Sequence, residues 1–194
     1  MFCFDMILYI TMAHTGAQLK ILNKVISGAY DMKIQNKSDL KKFKLLMKRC
    51  IEHHDFLLRY IKSIDKEYAG PLASFFMSMF MGNVVESYRF TTSNDIVATI
   101  RSLLYVTTGI LVIFFVCYFI PAQFIQDEAN KISRSIYLTK WYEHSLNAKP
   151  VVMIIARAYR PCRIVPCGIW ELNLETGLMV IRATISYAMF LRTL

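Results

Sequence analysis

The sequence contains none of the short motifs that mark common catalytic or nucleotide-binding sites. It has no G-x-x-x-x-G-K-[ST], no G-x-S-x-G and no H-E-x-x-H. Its 5 cysteines include no C-x-x-C pair, and an odd number does not suit a disulfide framework or a zinc site. We therefore predict that the chain is not an enzyme and that it has no catalytic residue, cofactor or metal.

The residues most similar to a catalytic site are the triplet His53-His54-Asp55. Neighbouring helical residues diverge by about 100°, so the two histidines cannot reach one metal ion from a single face. The H-x-x-x-x-D pattern of acyltransferases is missing as well, because Leu58 lies five positions after His53. We expect this triplet to belong to an ordinary helix surface.

Charge is absent from one long stretch and scarce in others. Residues 103–125 form a run of 23 residues without a single charged side chain. At 1.5 Å per residue this run reaches about 34 Å, enough to cross a hydrocarbon core of about 30 Å. Residues 69–88 and 174–194 are two further apolar stretches, and residues 1–19 resemble the end of another. The fold class predicted is an all-α, polytopic membrane bundle.

The positive charge is clustered between the apolar stretches. The net charge is +9, and of the 23 Lys and Arg residues 12 lie within positions 20–66 and 7 within positions 131–163. Basic clusters that alternate with apolar spans are typical of cytoplasmic loops and do not indicate a nucleic-acid surface. Residues 20–68 and 126–173 are therefore predicted to be cytoplasmic and residues 89–102 extracellular, which leaves the C-terminus outside.

The first cytoplasmic region carries the pattern of a long amphipathic helix. Apolar or weakly polar side chains recur every three or four positions; they are Leu40, Phe43, Met47, Cys50, His54, Leu57, Ile61, Ile64 and Tyr68. Charged residues occupy the other faces, and Asp55 and Arg59 have the spacing of an i,i+4 ion pair. We expect this helix to continue directly into the 69–88 span.

Small residues recur every four positions in the 69–88 span, at Ser74, Ser78 and Gly82. This spacing favours close helix packing in lipid, which we prefer here to a ligand contact.

The last helix is predicted to begin after Asn173, which suits an N-cap, with Glu175 complementing the helix dipole in the first turn. A polar stripe follows at spacings of seven, four and seven; it consists of Glu175, Arg182, Ser186 and Thr193. Polar groups in a membrane face a bundle interior or water. The residues alone leave open whether the stripe lines a pore or forms a seam between helices of one subunit.

The C-terminal third resembles the end of insect odorant receptors. The matching residues follow in order as Tyr137-x-x-x-Trp141-Tyr142, Arg157-x-x-x-Pro161, Leu172-Asn173-Leu174-Glu175-Thr176 and Ser186-Tyr187 with Leu191. Further matches to the end of the family's fourth helix are Asp5, His14, Gly16 and Leu22. Two positions depart from the family pattern: Gly177 stands where Phe is usual and is expected to loosen the start of the last helix, and Ala122 stands where Gly is frequent.

The resemblance implies a partial fourth helix and helices five to seven of a seven-helix receptor channel, and therefore a truncated form. It also implies an odorant-gated cation channel in the plasma membrane of olfactory sensory neurons. Its partners would be a co-receptor subunit in a hetero-tetramer, a small volatile apolar ligand and the lipid bilayer, and no nucleic acid.

Three groups of site residues follow from the resemblance. The pore-lining residues would be Arg182, Ser186, Phe190, Thr193 and Leu194, with Phe190 and Leu194 forming an outer constriction. The candidate odorant pocket would include Phe80, Tyr105 and Thr108. Subunit assembly would involve Tyr137, Trp141, Asn173, Glu175 and Tyr187.

Three other classes of protein remain as alternatives. A non-catalytic membrane scaffold or accessory subunit would conduct no cations and would need no polar stripe in the last helix. A gustatory receptor is closely related to an odorant receptor, although the region of Tyr137 and Trp141 favours the odorant receptor. A membrane-bound acyl or lipid enzyme would need a charged catalytic pair at the bilayer face, and none is apparent.

Overall fold

The computed structural model describes residues 2–30, 36–138, 156 and 162–193 of the chain. In these residues the regular structure is helical, which confirms the predicted all-α class. The elements are α1 (Phe2–Tyr30), α2 (Lys37–Thr92), α3 (Ile96–Thr107), a π-helical segment (Thr108–Phe119), α4 (Ile120–Leu138), a short 3₁₀ turn (Pro166–Gly168) and α5 (Leu174–Thr193).

Helix α2 joins the predicted cytoplasmic helix to the following apolar stretch without a break. It has 56 residues and contains Pro71, which lies near the start of the apolar stretch. Proline lacks the N–H that would bond one turn back, yet such positions are tolerated where neighbouring helices support the backbone. The predicted continuity of the amphipathic helix with residues 69–88 is confirmed.

The connection between α2 and α3 is much shorter than the predicted 89–102 loop. Helix α2 extends to Thr92 and α3 begins at Ile96, so only three residues separate them. Asp95 caps α3, because its Oδ1 atom accepts a hydrogen bond from Val97 N at 3.2 Å. Residues 89–92 belong to the end of α2 and residues 96–102 to the start of α3, so most of the predicted loop is helical.

The uncharged run 103–125 lies within one long helical stretch made of α3, the π-helical segment and α4. Hydropathy predicts an ordinary helix for this run and holds no signal for its wider π-helical turns. The sequence also predicts a polar helix over residues 127–143, and the described part of it, as far as Leu138, is the second half of α4. Proline suits the first turn of a helix, so the sequence also predicts a short helix from Pro150 to Arg160, of which only residue 156 is described.

The chain divides into two compact units, which we call unit 1 and unit 2. Unit 1 consists of Met1–Tyr9, Ile64–Gln123 and Ile164–Leu194, and unit 2 of Ile10–Ser63 and Phe124–Arg163. The core of unit 1 is rich in aromatic rings. Phe76 and Phe114 stack with centroids 5.0 Å apart and planes 6° apart, and Tyr118 meets Phe76 edge-on. Such pairs contribute beyond the area that they bury.

Unit 2 buries the predicted apolar stripe of α2. Phe43, Met47, Cys50, Leu57 and Ile61 are all buried, so the helical spacing identified the core face correctly. The core residues contributed by α1 and α4 are Met12, Leu19, Leu22, Ile26, Ala29, Ile125, Ala129, Ile132 and Ile136.

Two predictions about polar residues of unit 2 have opposite outcomes. The Asp55–Arg59 ion pair is confirmed, with a carboxylate to guanidinium distance of 2.9 Å. The expected surface setting of the histidine triplet is wrong for His54, which is buried. Its place in the apolar stripe of α2, rather than its polarity, determined its position.

Among the described residues two helical stretches are long and apolar enough to cross a membrane, Ile96–Leu138 and Leu174–Thr193. Residues 69–88 are not one of these two stretches, so a membrane span there stays a prediction. Within it, Ser74 and Ser78 are exposed, while Leu72 and Phe76 form the buried face. Against the described part of the chain, therefore, the two serines form no helix-packing seam.

Candidate functional site

Helix α5 starts as its sequence indicates. Asn173 caps the helix, since its Oδ1 atom accepts a hydrogen bond from Thr176 N at 2.8 Å. Glu175 lies in the first turn, where its charge complements the positive end of the helix dipole. Both local predictions are confirmed, because capping depends only on residues within one turn.

The two faces of α5 differ in exposure. Its buried residues are Gly177, Thr184 and Ala188, which the helical rotation places on one side. The predicted stripe residues Glu175, Arg182, Ser186 and Thr193 are all exposed. At 100° per residue the stripe lies about 160° away from the buried side.

The exposed face of α5 also carries Phe190, and Leu194 lies outside the described residues. Thr184, on the buried side, donates its hydroxyl proton to Val180 O at 2.8 Å and so needs no other partner. Because all four of its residues are exposed, the polar stripe does not form a seam with the described helices of this chain.

Gly177 permits a close contact between α5 and a neighbouring element. A Cβ atom at this position would lie 2.9 Å from Phe119 Cδ2 and 3.0 Å from Phe115 Cζ. The two phenylalanines come from the π-helical segment, against which α5 packs. Aromatic rings from that segment thus occupy the space that a side chain at position 177 would need.

Unit 1 contains a cavity of about 230 Å³ beside α5. Its aromatic wall consists of Phe76, Phe80, Phe114, Phe119 and Trp170. Its other wall consists of Thr176, Met179, Val180 and Ala183 on α5, with Met77 from α2. Only Trp170 and Thr176 among these residues carry a polar side-chain group, so the cavity suits an apolar occupant.

The three candidate odorant residues do not share this cavity. Phe80 lines it and also meets the ring of Tyr187 edge-on at 6.1 Å. Tyr105 and Thr108 are exposed and are not part of its wall. A Cβ atom on Gly82 would lie 3.1 Å from the Tyr105 hydroxyl, which shows that α2 and α3 approach closely there.

Unit 1 contains a buried polar pair that the sequence did not predict. The Tyr118 hydroxyl donates a hydrogen bond to Asp5 Oδ1, and both side chains are buried. The partners are 113 positions apart, on α1 and the π-helical segment. Ionisable residues in a membrane bundle are costly unless they are paired. The charge of Asp5 in an apolar run was the available signal, but its partner could not be read from the sequence.

A second polar cluster joins α2 to α3. Glu86 accepts hydrogen bonds from the Ser102 hydroxyl at 2.7 Å and from Arg89 Nη1 at 3.2 Å. Ser102 is buried, so this contact satisfies a polar group that the core would otherwise leave unpaired.

The segment before α5 is held by backbone contacts within unit 1. Asp65 Oδ1 accepts a hydrogen bond from Val165 N at 2.8 Å, and Leu172 N donates to Ile164 O at 2.9 Å.

The predicted assembly residues Tyr137 and Tyr187 are 70% and 56% exposed, and Trp141 lies outside the described residues.

In unit 2, burial raises the pKa of the Cys162 thiol to about 11, despite the nearby positive charge of Lys62. A thiol with so little thiolate at neutral pH is a poor nucleophile.

Comparison with known proteins gives a family and a fold. The family model described as 7tm Odorant receptor matches residues 1–185. No curated protein matches the sequence. A solved structure, the insect olfactory receptor OR5 from Machilis hrabei, superposes with a TM-score of 0.76 at 14% sequence identity. The superposition covers 96% of this chain and 46% of that protein, so the chain spans about half the length of the receptor that it matches.

The shared fold agrees with the order of helices described above, and the matched family consists of membrane receptors and not of enzymes. The chain belongs to the seven-transmembrane odorant receptor family.

Proposed function

We propose that this chain serves as an odorant receptor subunit, in an odorant-gated cation channel that works with a co-receptor in olfactory signal transduction. The observation that carries the proposal is the geometry of α5. One side of this apolar helix is buried in unit 1, and its polar stripe is exposed on the opposite side. Helices that line ion pathways combine these two properties.

The proposed topology places residues 1–19, 69–88, 103–125 and 174–194 in the membrane. Residues 20–68 and 126–173 are then cytoplasmic, and residues 89–102 are extracellular. The exposed lysines of α2, among them Lys41, Lys44 and Lys48, support a water-filled surrounding for the first of these regions. The plasma membrane of olfactory sensory neurons is the proposed location.

Roles for individual residues follow from this arrangement. Arg182, Ser186 and Thr193 line the pathway on α5, and Phe190 with Leu194 narrows its outer end. Tyr137, Trp141, Asn173, Glu175 and Tyr187 contribute to the subunit assembly in a hetero-tetramer with the co-receptor. Phe80, Tyr105 and Thr108 contact a small volatile apolar ligand.

The test is to co-express the chain with the co-receptor and to record odorant-evoked currents and their reversal potentials. Arg182→Glu adds negative charge to the pathway, so permeation of divalent relative to monovalent cations is expected to rise. Thr184→Ser on the buried side of α5 is the control and leaves permeation unchanged. If Arg182→Glu and Thr184→Ser give the same reversal potentials, or if no current appears, the chain is an accessory subunit and the proposal is wrong.

A further inference from the structure

The cavity beside α5 differs from the site proposed for the odorant. Of the three residues expected to contact the odorant, Phe80 lines this cavity, whereas Tyr105 and Thr108 do not. The rest of its wall comes from α2, the π-helical segment, Trp170 and the first three turns of α5.

We propose that this cavity is a second ligand site, which binds a small uncharged aromatic molecule. The proposal concerns binding alone and does not depend on channel activity. It rests on three features of the cavity: its size, its aromatic wall and its opening.

The size of the cavity limits the ligand. An apolar cavity of about 150 Å³ takes up benzene. By proportion the volume of about 230 Å³ holds about nine or ten heavy atoms. A complete lipid acyl chain is too long for this space, whereas a substituted benzene fills it.

The aromatic wall favours a ring as the occupant. Phe76 and Phe114 already stack on each other, and Trp170 meets Phe76 edge-on with centroids 6.2 Å apart. A further ring can join this cluster by edge-to-face contacts, which a saturated chain cannot make. Because Thr176 and Trp170 carry the only polar side-chain groups of the wall, a charged ligand would lose its hydration without compensation.

The opening of the cavity lies beside flexible side chains. Met77 on α2 and Met179 on α5 both line the cavity and are more than half exposed. Methionine adapts its shape at low cost and makes favourable contacts with aromatic rings. A ligand dissolved in the membrane can therefore enter between α2 and α5.

Quenching of Trp170 fluorescence tests the site directly. The chain contains 2 tryptophans, so Trp141→Phe leaves Trp170 as the single reporter. The protein is reconstituted in phosphatidylcholine nanodiscs, and para-bromotoluene, which is within the size limit of the cavity, is the probe, because its bromine quenches on contact. Binding at the cavity predicts saturable quenching, whereas mere partition into lipid gives quenching that rises linearly with probe.

Two matched variants assign the quenching to the cavity. Ala183→Leu fills it, and Ala73→Leu makes the same change on α2, at a similarly half-buried position outside the wall. We expect saturable quenching to persist in Ala73→Leu and to become linear in Ala183→Leu. If circular dichroism shows that Ala183→Leu does not fold, Val180→Phe fills the same cavity from the same helix.

Two results would overturn the proposal. One is linear quenching in all folded variants, which means that no site exists. The other is found in nanodiscs whose phospholipid carries brominated acyl chains. Quenching of Trp170 there before any probe is added, removed by the cavity-filling variant, would show that a lipid tail occupies the cavity.

Discussion

Units 1 and 2 differ in the side chains that they bury and expose. Unit 1 buries paired polar groups, such as Asp5 with Tyr118, and exposes large apolar residues such as Ile96 and Val97. Unit 2 buries an apolar stripe and exposes lysines along the same helix. A bilayer removes the penalty for apolar exposure and raises that for unpaired polar groups, and water does the reverse. In the topology that we propose, helix α2 would therefore run from water into lipid.

The largest effect is expected in the core of unit 2, where burial drives folding. Leu57→Ala removes a buried leucine from the stripe of α2 and is expected to cost about 2–5 kcal/mol of unfolding free energy. Leu45→Ala, the same change at an exposed position of α2, should stay within about 0.5 kcal/mol. Chemical denaturation in detergent measures both, and equal losses would mean that the stripe is not a core.

The next effect concerns the buried pair of unit 1. Tyr118→Phe leaves Asp5 without this donor and is expected to cost about 1.5–3 kcal/mol, the range for hydrogen bonds to charged groups. Tyr105→Phe removes a hydroxyl from an exposed tyrosine and serves as the control. Adding Asp5→Ala, which removes the acceptor, completes a double-mutant cycle, and additive losses would contradict a contact between the two side chains.

A smaller effect is expected where α5 meets the π-helical segment. Gly177→Phe restores the residue usual in the family but meets Phe115 and Phe119, so overpacking should cost about 1–3 kcal/mol. The double variant with Phe115→Ala should recover much of this loss. Gly28→Phe, at a glycine with open space beside it, is the control for adding an aromatic ring. Equal thermal shifts at positions 28 and 177 would argue against the close packing.

The smallest effect is a pH dependence in unit 2. Burial, aided by the nearby Cys50, raises the pKa of Tyr30 from 10.0 to about 12. Above pH 10 the unfolded chain loses this proton while the folded chain keeps it. The stabilising effect of the proton is thus complete below pH 10 and is lost as pH rises towards 12. Relative to wild type, Tyr30→Phe should flatten the fall in stability over this window. Parallel pH profiles of the two proteins would show that Tyr30 is not responsible.

The contrast between the units was partly readable from the sequence. The buried face of α2 follows from its helical spacing, and the capping of α5 by Asn173 follows from adjacent residues, since both signals are local. The pairing of Asp5 with Tyr118 was not predictable, because it joins positions 113 residues apart. The π-helical segment likewise leaves no mark in hydropathy.

The sequence predicted the polar stripe of the candidate site but not its cavity, because only the stripe depends on residues of a single helix. The polar stripe of α5 is a periodicity within one helix, so its common face could be recognised in advance. The cavity depends on how α2, the π-helical segment and α5 pack around Trp170. The prediction grouped Phe80 with Tyr105 and Thr108, but of these three residues only Phe80 lines the cavity. The role of Gly177 depends on the two phenylalanine rings of another element.

The central claim is that the polar stripe of α5 faces an aqueous pathway. Spin labels at Ser186→Cys and Ile185→Cys test it in the chain assembled with the proposed co-receptor in lipid, since both positions are exposed and about 100° apart on α5. We predict that the label at position 186 collides mainly with a water-soluble nickel complex and the label at position 185 mainly with oxygen. Greater accessibility to oxygen at both positions would place the stripe in lipid and contradict the claim.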